Sequence, residues 1–124
     1  MGLLVDMSSL ITSESNKYLG DMPDTPDDLI ALYNTGGLDP QHALGAQPPS
    51  WENPTFQIRL RDTSYADVIA RAEAIKDLLD GKTNQTINSN YYMSIFMLGD
   101  INSLGRDSRN RIEVTMNFAV QVQR

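Results

Sequence analysis

The most restrictive feature of the chain is an unbroken alternation of apolar and mainly polar residues from Arg111 to Val122. This is the period-two pattern of a β-strand with one buried face. Twelve residues in extended conformation span about 40 Å, about twice the length of a typical strand. In a domain this small, we expect part of the strand to extend beyond its partner. Its unpaired backbone groups could then pair with another chain, and the polar face carries no lysine to oppose this.

Other segments predict a two-layer α+β domain. Residues Thr55 to Arg61 alternate as a second strand, and residues Tyr65 to Leu79 carry apolar side chains at helical spacing. A hydroxyl at Thr63 or Ser64 would cap the start of this helix, and Gly81 lies where a C-cap is expected.

Further apolar segments complete the predicted fold. Leu3 to Ile11 have the spacing of an N-terminal helix, Leu29 to Tyr33 read as a short buried strand, and Tyr91 to Leu98 are apolar on both faces, as in a central strand. We therefore expect one domain over residues 1–124. It should contain an antiparallel or mixed sheet of about four to five strands, with the N-terminal helix and one long central helix packed on it.

Two segments lack periodicity. All six prolines lie between positions 23 and 54, and we interpret residues 38–54 as a Pro-rich surface excursion. Residues 99–110 form a twelve-residue connection between two predicted strands, which is long for a hairpin. This connection is either a solvated loop tip or a flexible arm that orders against a partner, with Arg106, Arg109 and Arg111 available for carboxylate or phosphate.

Charge and composition exclude several classes of function. The net charge is −6, and residues 1–55 contain eight acidic side chains and one basic one, against eight and nine in residues 56–124. No basic surface for sequence-specific nucleic-acid binding is predicted, whereas the unequal halves suit head-to-tail self-association. The absence of cysteine excludes disulfides and thiolate metal ligands. The apolar run near the N-terminus, Leu3 to Val5, is broken at once by Asp6 and is too short for a membrane span or a signal peptide.

Signals for catalysis are weak, and we predict no catalytic residue, cofactor or metal. The single histidine, His42, has no evident partner for acid–base or metal chemistry. Four carboxylates miss the spacing of a calcium loop and are interpreted as solvated turn residues, namely Asp21, Asp24, Asp27 and Asp28. Trp51 is either an interface anchor or an aromatic lid on the domain's own core.

The order of these features resembles the minor capsid and tail terminator proteins of tailed bacteriophages, which cap the tail tube and join it to the head. The resemblance covers nearly the whole chain. It rests on the N-terminal helix, the segment Met22–Tyr33 followed by Gly36-Gly37, the segment Pro54–Arg59, the central helix ending in Leu78–Gly81, and the sequences Leu98-Gly99-Asp100, Leu104-Gly105-Arg106-Asp107 and Asn117-Phe118.

The resemblance implies a structural virion protein at the head–tail junction, assembled in the cytoplasm of the bacterial host. It implies an α+β subunit in a sixfold ring that stops polymerisation of the tail tube and binds the connector beneath the head. The final strand would contribute the subunit contact through Glu113, Thr115, Asn117 and Gln121. The 99–110 arm would reach the tube or a neighbouring subunit through Arg106, Asp107, Arg109 and Arg111.

Two alternatives stay open at the level of sequence. The protein could be a head-completion or other connector component of the same virion. In a different class, it could be a small ligand-binding or enzymatic domain in which the Pro-rich excursion covers a pocket, with loss of function expected for His42→Ala.

Overall fold

A computed structural model describes residues 3–12, 16–24, 27–42 and 50–123, the side chains of 37–42, 50 and 51 excepted. In chain order the elements are α1 (Leu3–Leu10), β1 (Lys17–Leu19), β2 (Leu29–His42), β3 (Ser50–Asp62), α2 (Tyr65–Leu79), β4 (Lys82–Ile87), β5 (Asn90–Arg106) and β6 (Ile112–Gln123).

The strands form one mixed sheet in the order β1-β2-β3-β6-β5-β4. β1 is parallel to β2, and every other pair is antiparallel. The α+β class is confirmed, but the expected four to five strands are wrong, since the described residues form six. Both edge strands were missed because β1 has only three residues and β4 is mostly polar, so neither carries a usable alternation.

One face of the sheet, the core face, is covered by both helices. The buried cluster combines alternate residues of β2, β3 and β6 with residues of α1 and of α2, including Met7 and Ile75. At its centre the rings of Phe56 and Phe118 stack with centroids 5.3 Å apart. The expected bounds of α2 are confirmed: the Ser64 hydroxyl accepts a hydrogen bond from the backbone N–H of Asp67, and Gly81 adopts a φ of +80° just after the helix.

The Pro-rich excursion predicted for residues 38–54 is wrong for most of its described part. β2 continues to His42 and β3 begins at Ser50, so the segment belongs to a long hairpin, while residues 43–49 lie outside the described residues. Its pairing register shifts after Asn34 and again after Leu38. Because each bulge moves the following side chains to the other face, the strand shows no continuous alternation.

The flexible arm predicted for residues 99–110 is also wrong. β5 extends to Arg106, and only the turn from Asp107 to Arg111 separates it from β6. The second half of β5 is rich in Gly, Asp, Asn and Ser, which are depleted in strands, and its register with β6 shifts twice. Pairing with β6 therefore overrides a poor local propensity.

The expected overhang of the final strand is wrong as well. β6 pairs with β3 from Ile112 to Gln123 and with β5 over the same range. Its neighbours contain 13 and 17 residues, so both are long enough to cover it. Since the backbone of β6 is used within the sheet, only its side chains can contact another molecule.

A buried carboxylate connects α1 to the β4–β5 hairpin. Asp6 accepts hydrogen bonds from Asn88 Nδ2 (2.7 Å), from Asn90 Nδ2 (2.9 Å) and from the Tyr92 hydroxyl. Asn88 and Ser89 both have positive φ, as in a two-residue type I′ turn. Burial alone would raise the pKa of Asp6, but these hydrogen bonds outweigh it and hold the pKa below its ordinary value.

Candidate interaction surface

The face of the sheet opposite the helices, called the outer face, changes in polarity along the strands. At one end Arg61 lies opposite Glu113, in the middle Gln57 donates a hydrogen bond to Asn117 (3.2 Å), and at the other end Thr55 lies opposite Ala119. The outer face is thus charged at one end and uncharged at the other.

A cluster around Arg111 organises the charged end. The side chain of Arg111 is 4% exposed, and its guanidinium contacts the carboxylates of Asp107 (2.8 Å), Asp24 (3.0 Å) and Asp27 (3.3 Å). Arg61 donates from Nη2 to the carbonyl oxygen of Pro23 (2.7 Å). A nearly buried guanidinium requires such partners, because its desolvation is otherwise uncompensated. The cluster therefore holds the acidic segment before β2 against the β5–β6 turn.

Asp107 shapes the turn itself. Its carboxylate accepts hydrogen bonds from the backbone N–H of Arg111 and of Arg109 (both 2.9 Å) and from Arg111 Nε (2.9 Å). The backbone hydrogen bond from Arg111 is the largest cause that lowers the pKa of Asp107, which falls from 3.8 to about 2. Asp107 and Arg111 thus fix the turn that the sequence presented as a mobile arm.

Replacing Arg111 by methionine should release this segment. We expect the pKa of Asp107 to rise above about 2, because the guanidinium is lost while the backbone N–H of residue 111 is kept. NMR titration measures this pKa, and the chain near Asp24 should become sensitive to limited proteolysis. In the native protein the stabilisation by ionised Asp107 is complete above pH 3.8 and is lost as the pH falls through about 2. Arg111→Lys is the control, since it keeps the charge but not the fork of donors. An unchanged Asp107 pKa in Arg111→Met would contradict this role.

The four residues predicted for a partner-binding loop lie together at the β5–β6 turn. Arg111 and Asp107 are engaged within the subunit. Arg106 Nη1 donates to the carbonyl oxygen of Asn110 (2.9 Å), and Arg109 pairs with Asp24 at 2.7 Å while staying 57% exposed. Among these side chains, Arg106 and Arg109 are the exposed ones, so any contact with a partner falls to them.

The four β6 residues predicted for a subunit interface share the outer face. Asn117 is exposed, Glu113 and Gln121 are half-buried, and Thr115 is buried at 4% exposure. Of this set, Asn117 and Gln121 lie nearest the uncharged end, and both side chains reach solvent. The interface assignment itself remains a prediction.

Other candidates from the sequence fall outside or away from this surface. The side chains of His42 and Trp51 lie outside the described residues. Asp21, Asp24, Asp27 and Asp28 are all exposed, and Asp24 and Asp27 also bind Arg111. Within residues 3–12, 16–24, 27–42 and 50–123, no group of histidine, aspartate or glutamate side chains is arranged to hold a metal ion. Over the same residues no helix has the length and hydropathy to span a membrane.

The uncharged end of the outer face contains a groove of about 460 Å³. We call it the outer-face groove and define it by the residues Asn53, Thr55, Phe96, Leu98, Ala119 and Gln121. Phe96 is 45% and Leu98 is 41% exposed, which is high for large apolar side chains. The small side chain of Ala119 forms the floor between Thr55 and Phe96, its register partners on the two sides.

Sequence reasoning missed the Arg61 and Asp6 contacts and the groove. Asp6 and Tyr92 are 86 residues apart, and Arg111 and Asp24 are 87 apart, so no local pattern connects them. The only available signal for the groove was the two-sided apolar character of residues 91–98, which indicated that something covers their outer face.

Comparison with known proteins identifies the family. A family described as "Bacteriophage tail terminator protein" matches residues 1–124. No curated protein matches. A solved chain from "Virion of native gene transfer agent (GTA) particle" is 16% identical, with a TM-score of 0.62 over 95% of this chain and 84% of that one. A second solved chain is 13% identical, with a TM-score of 0.55 over 97% and 89%. Both share the fold, and the match over the whole length shows that this chain belongs to the bacteriophage tail terminator family.

Proposed function

We propose that the protein caps the phage tail tube as a ring of six copies, ends its polymerisation and provides the interface that joins the tail to the head. The observation that carries this proposal is the family match, which spans all 124 residues. A structural role in the phage tail follows from the family itself. The finer statements, the capping step, the ring and the joining to the head, are the proposal.

The surface of the structure is suited to binding. Asp107, whose pKa is lowered to about 2, is engaged in a structural ion pair with Arg111. The large features left on the surface are instead the polar and apolar outer face of the sheet and the β5–β6 turn. Extended surfaces of this kind suit contacts between proteins.

The proposed partners are other copies of the chain, the tail tube protein and the head–tail connector proteins, with assembly in the bacterial cytoplasm. In this arrangement the outer face of β6, with Asn117 and Gln121, contributes to the contact between subunits. The exposed Arg106 and Arg109 at the β5–β6 turn would bind acidic groups of the tube or of a neighbouring subunit.

Electron microscopy of particles that lack the protein tests the proposal. Without a cap, tail tubes should continue to polymerise, so we expect tails of abnormal length that carry no head. Supplying the intact gene from a plasmid should restore tails of uniform length joined to heads. Normal, head-joined particles without the protein would contradict the proposal.

The same experiment separates the alternatives. Tails of normal length that fail to join heads would indicate a connector or head-completion component instead of a terminator. Normal particles without the protein, together with a substrate-dependent activity of the purified protein that His42→Ala abolishes, would indicate the ligand-binding or enzymatic class.

A further inference from the structure

One edge of β5 has no strand beside it over much of its length. β4 is the last strand of the sheet on that side, and it pairs with β5 only as far as Ile95. From Met97 to Arg106, β5 therefore faces no described strand on this side, and we call this stretch the open β5 edge. Backbone N–H and C=O groups along an open edge are a template for a strand of another chain.

Asp80 occupies the start of this edge. It lies directly after α2, and its Oδ1 accepts a hydrogen bond from the backbone N–H of Met97 (2.8 Å). The register of β4 and β5, in which Lys82 lies opposite Ile95, places position 80 opposite position 97. The carboxylate therefore supplies the acceptor that β4, which begins two residues later, does not supply from its backbone.

Two further side chains act in the same way nearer the β5–β6 turn. Asp100 Oδ1 accepts a hydrogen bond from the backbone N–H of Ile101 (2.7 Å), a residue that has no register partner on β6. Ser103 Oγ accepts a longer one from the backbone N–H of Gly105 (3.4 Å). The three capped donors, at positions 97, 101 and 105, are thus spread along the whole open β5 edge.

The shape of the strand also opposes the addition of another strand. The register with β6 shifts between Leu98 and Asn102, and again between Ser103 and Gly105. Gly99 lies in the first irregular stretch with a φ of +75°. Bulges bend and twist an edge away from the regular geometry that a partner strand needs. The side-chain hydrogen bonds and the bulges therefore have the same effect.

Charge is the competing explanation for the two carboxylates. Each copy carries a net charge of −6, so acidic side chains at an edge also oppose the approach of a second copy by repulsion. The two explanations differ in what an asparagine would do. Its side-chain oxygen still accepts a hydrogen bond, whereas its charge is zero.

We propose that Asp80, Asp100 and Ser103 cap backbone N–H groups of the open β5 edge and thereby keep free subunits from associating by strand addition. The proposal concerns the single subunit and does not depend on the proposed ring.

Sedimentation of the purified protein tests this capping. The double variant Asp80→Ala with Asp100→Ala should self-associate about tenfold more tightly than the native protein, because its uncapped N–H groups can donate to the carbonyl oxygens of a second strand. Analytical ultracentrifugation over a series of concentrations measures this change. Asp80→Asn with Asp100→Asn is the matched control, since it loses the same two charges but keeps both acceptors, and it should behave as the native protein does.

Either of two results overturns the proposal. Equal association of the alanine and asparagine variants would assign the effect to charge, and unchanged association of the alanine variant would show that the side chains do not protect the edge. Asp100→Ala alone, at an exposed site away from α2, is the second variant. It should show a smaller increase of the same kind.

Hydrogen exchange measured by NMR locates the effect within the folded protein. In dilute solution, where the alanine variant is monomeric, the amides of Met97 and Ile101 should exchange about tenfold faster than in the native protein. The amide of Ile58 in the interior strand β3 should be unchanged, which shows that the fold is kept. In the associated variant the first two amides should be protected again. Association without this protection would place the contact elsewhere and overturn the proposal.

Discussion

Replacing Asp6 by alanine should destabilise the protein by about 3 kcal/mol or more, because hydrogen bonds to a buried charge are strong and their loss leaves buried donors unpaired. The carboxylate of Asp6 is fully buried. It is the shared acceptor for Asn88 Nδ2, for Asn90 Nδ2 and for the Tyr92 hydroxyl, three donors of the β4–β5 hairpin. Without it, α1 loses its polar attachment to the β4–β5 hairpin. Urea unfolding measured at neutral pH gives the free energy of unfolding of both proteins.

Asp6→Asn is the matched control for this prediction. It keeps the shape of the side chain but replaces one acceptor oxygen by a donor, so we expect a smaller loss than for alanine. The pKa of Asp6 is lowered in the folded protein. Its contribution to stability is therefore present above its ordinary pKa and lost as the pH falls through the lowered one. Asp6→Asn should remove this part of the acid sensitivity. A native-like free energy of unfolding for Asp6→Ala would exclude the proposed attachment.

Phe118→Ala should cost about 3–5 kcal/mol, as expected for truncation of a fully buried aromatic side chain. Phe118 lies on the central strand β6 and stacks on Phe56 of β3 at 5.3 Å between ring centroids. The substitution leaves a cavity in the layer between the sheet and the helices, and the ring of Phe56 loses its stacking partner. Thermal unfolding and urea unfolding should both show this loss of stability.

Two further variants show that burial, and not aromatic character, sets this effect. Phe118→Leu fills most of the volume and should cost about 1 kcal/mol. Phe96→Ala removes a ring that is 45% exposed and should change the stability of the isolated subunit by less than about 0.5 kcal/mol. Equal destabilisation by Phe118→Ala and Phe96→Ala would show that the core assignment is wrong.

Local patterns were sufficient where a segment is regular along its whole length. The alternation of residues 111–122, the shorter alternation of 55–61 and the helical spacing of 65–79 correspond to β6, to the regular part of β3 and to α2. In each case one face is buried and the other is not, so the spacing of apolar residues in the sequence matches the period of the helix or strand.

Segments that depend on a distant partner could not be predicted in this way. The second half of β5 is extended because β6 pairs with it, and Gly105, with a φ of +87°, marks a bulge that sequence alone presents as a loop. The Arg111 cluster and the outer-face groove likewise exist only once the register of the sheet is set. For this reason the fold class was predictable, whereas the geometry of the surface was not.

The position of β6 between β3 and β5 has a consequence for synthesis. Gln57 of β3 and Asn117 of β6, which are hydrogen-bonded, are 60 residues apart, and all of α2, β4 and β5 is translated between them. During that interval a nascent chain carries two long strands whose inner edges have no native partner, a condition that favours misassociation. Completion of the sheet therefore depends on late insertion of one strand into its middle, and ribosome-bound chains that stop before β6 should be substrates for chaperones and proteases.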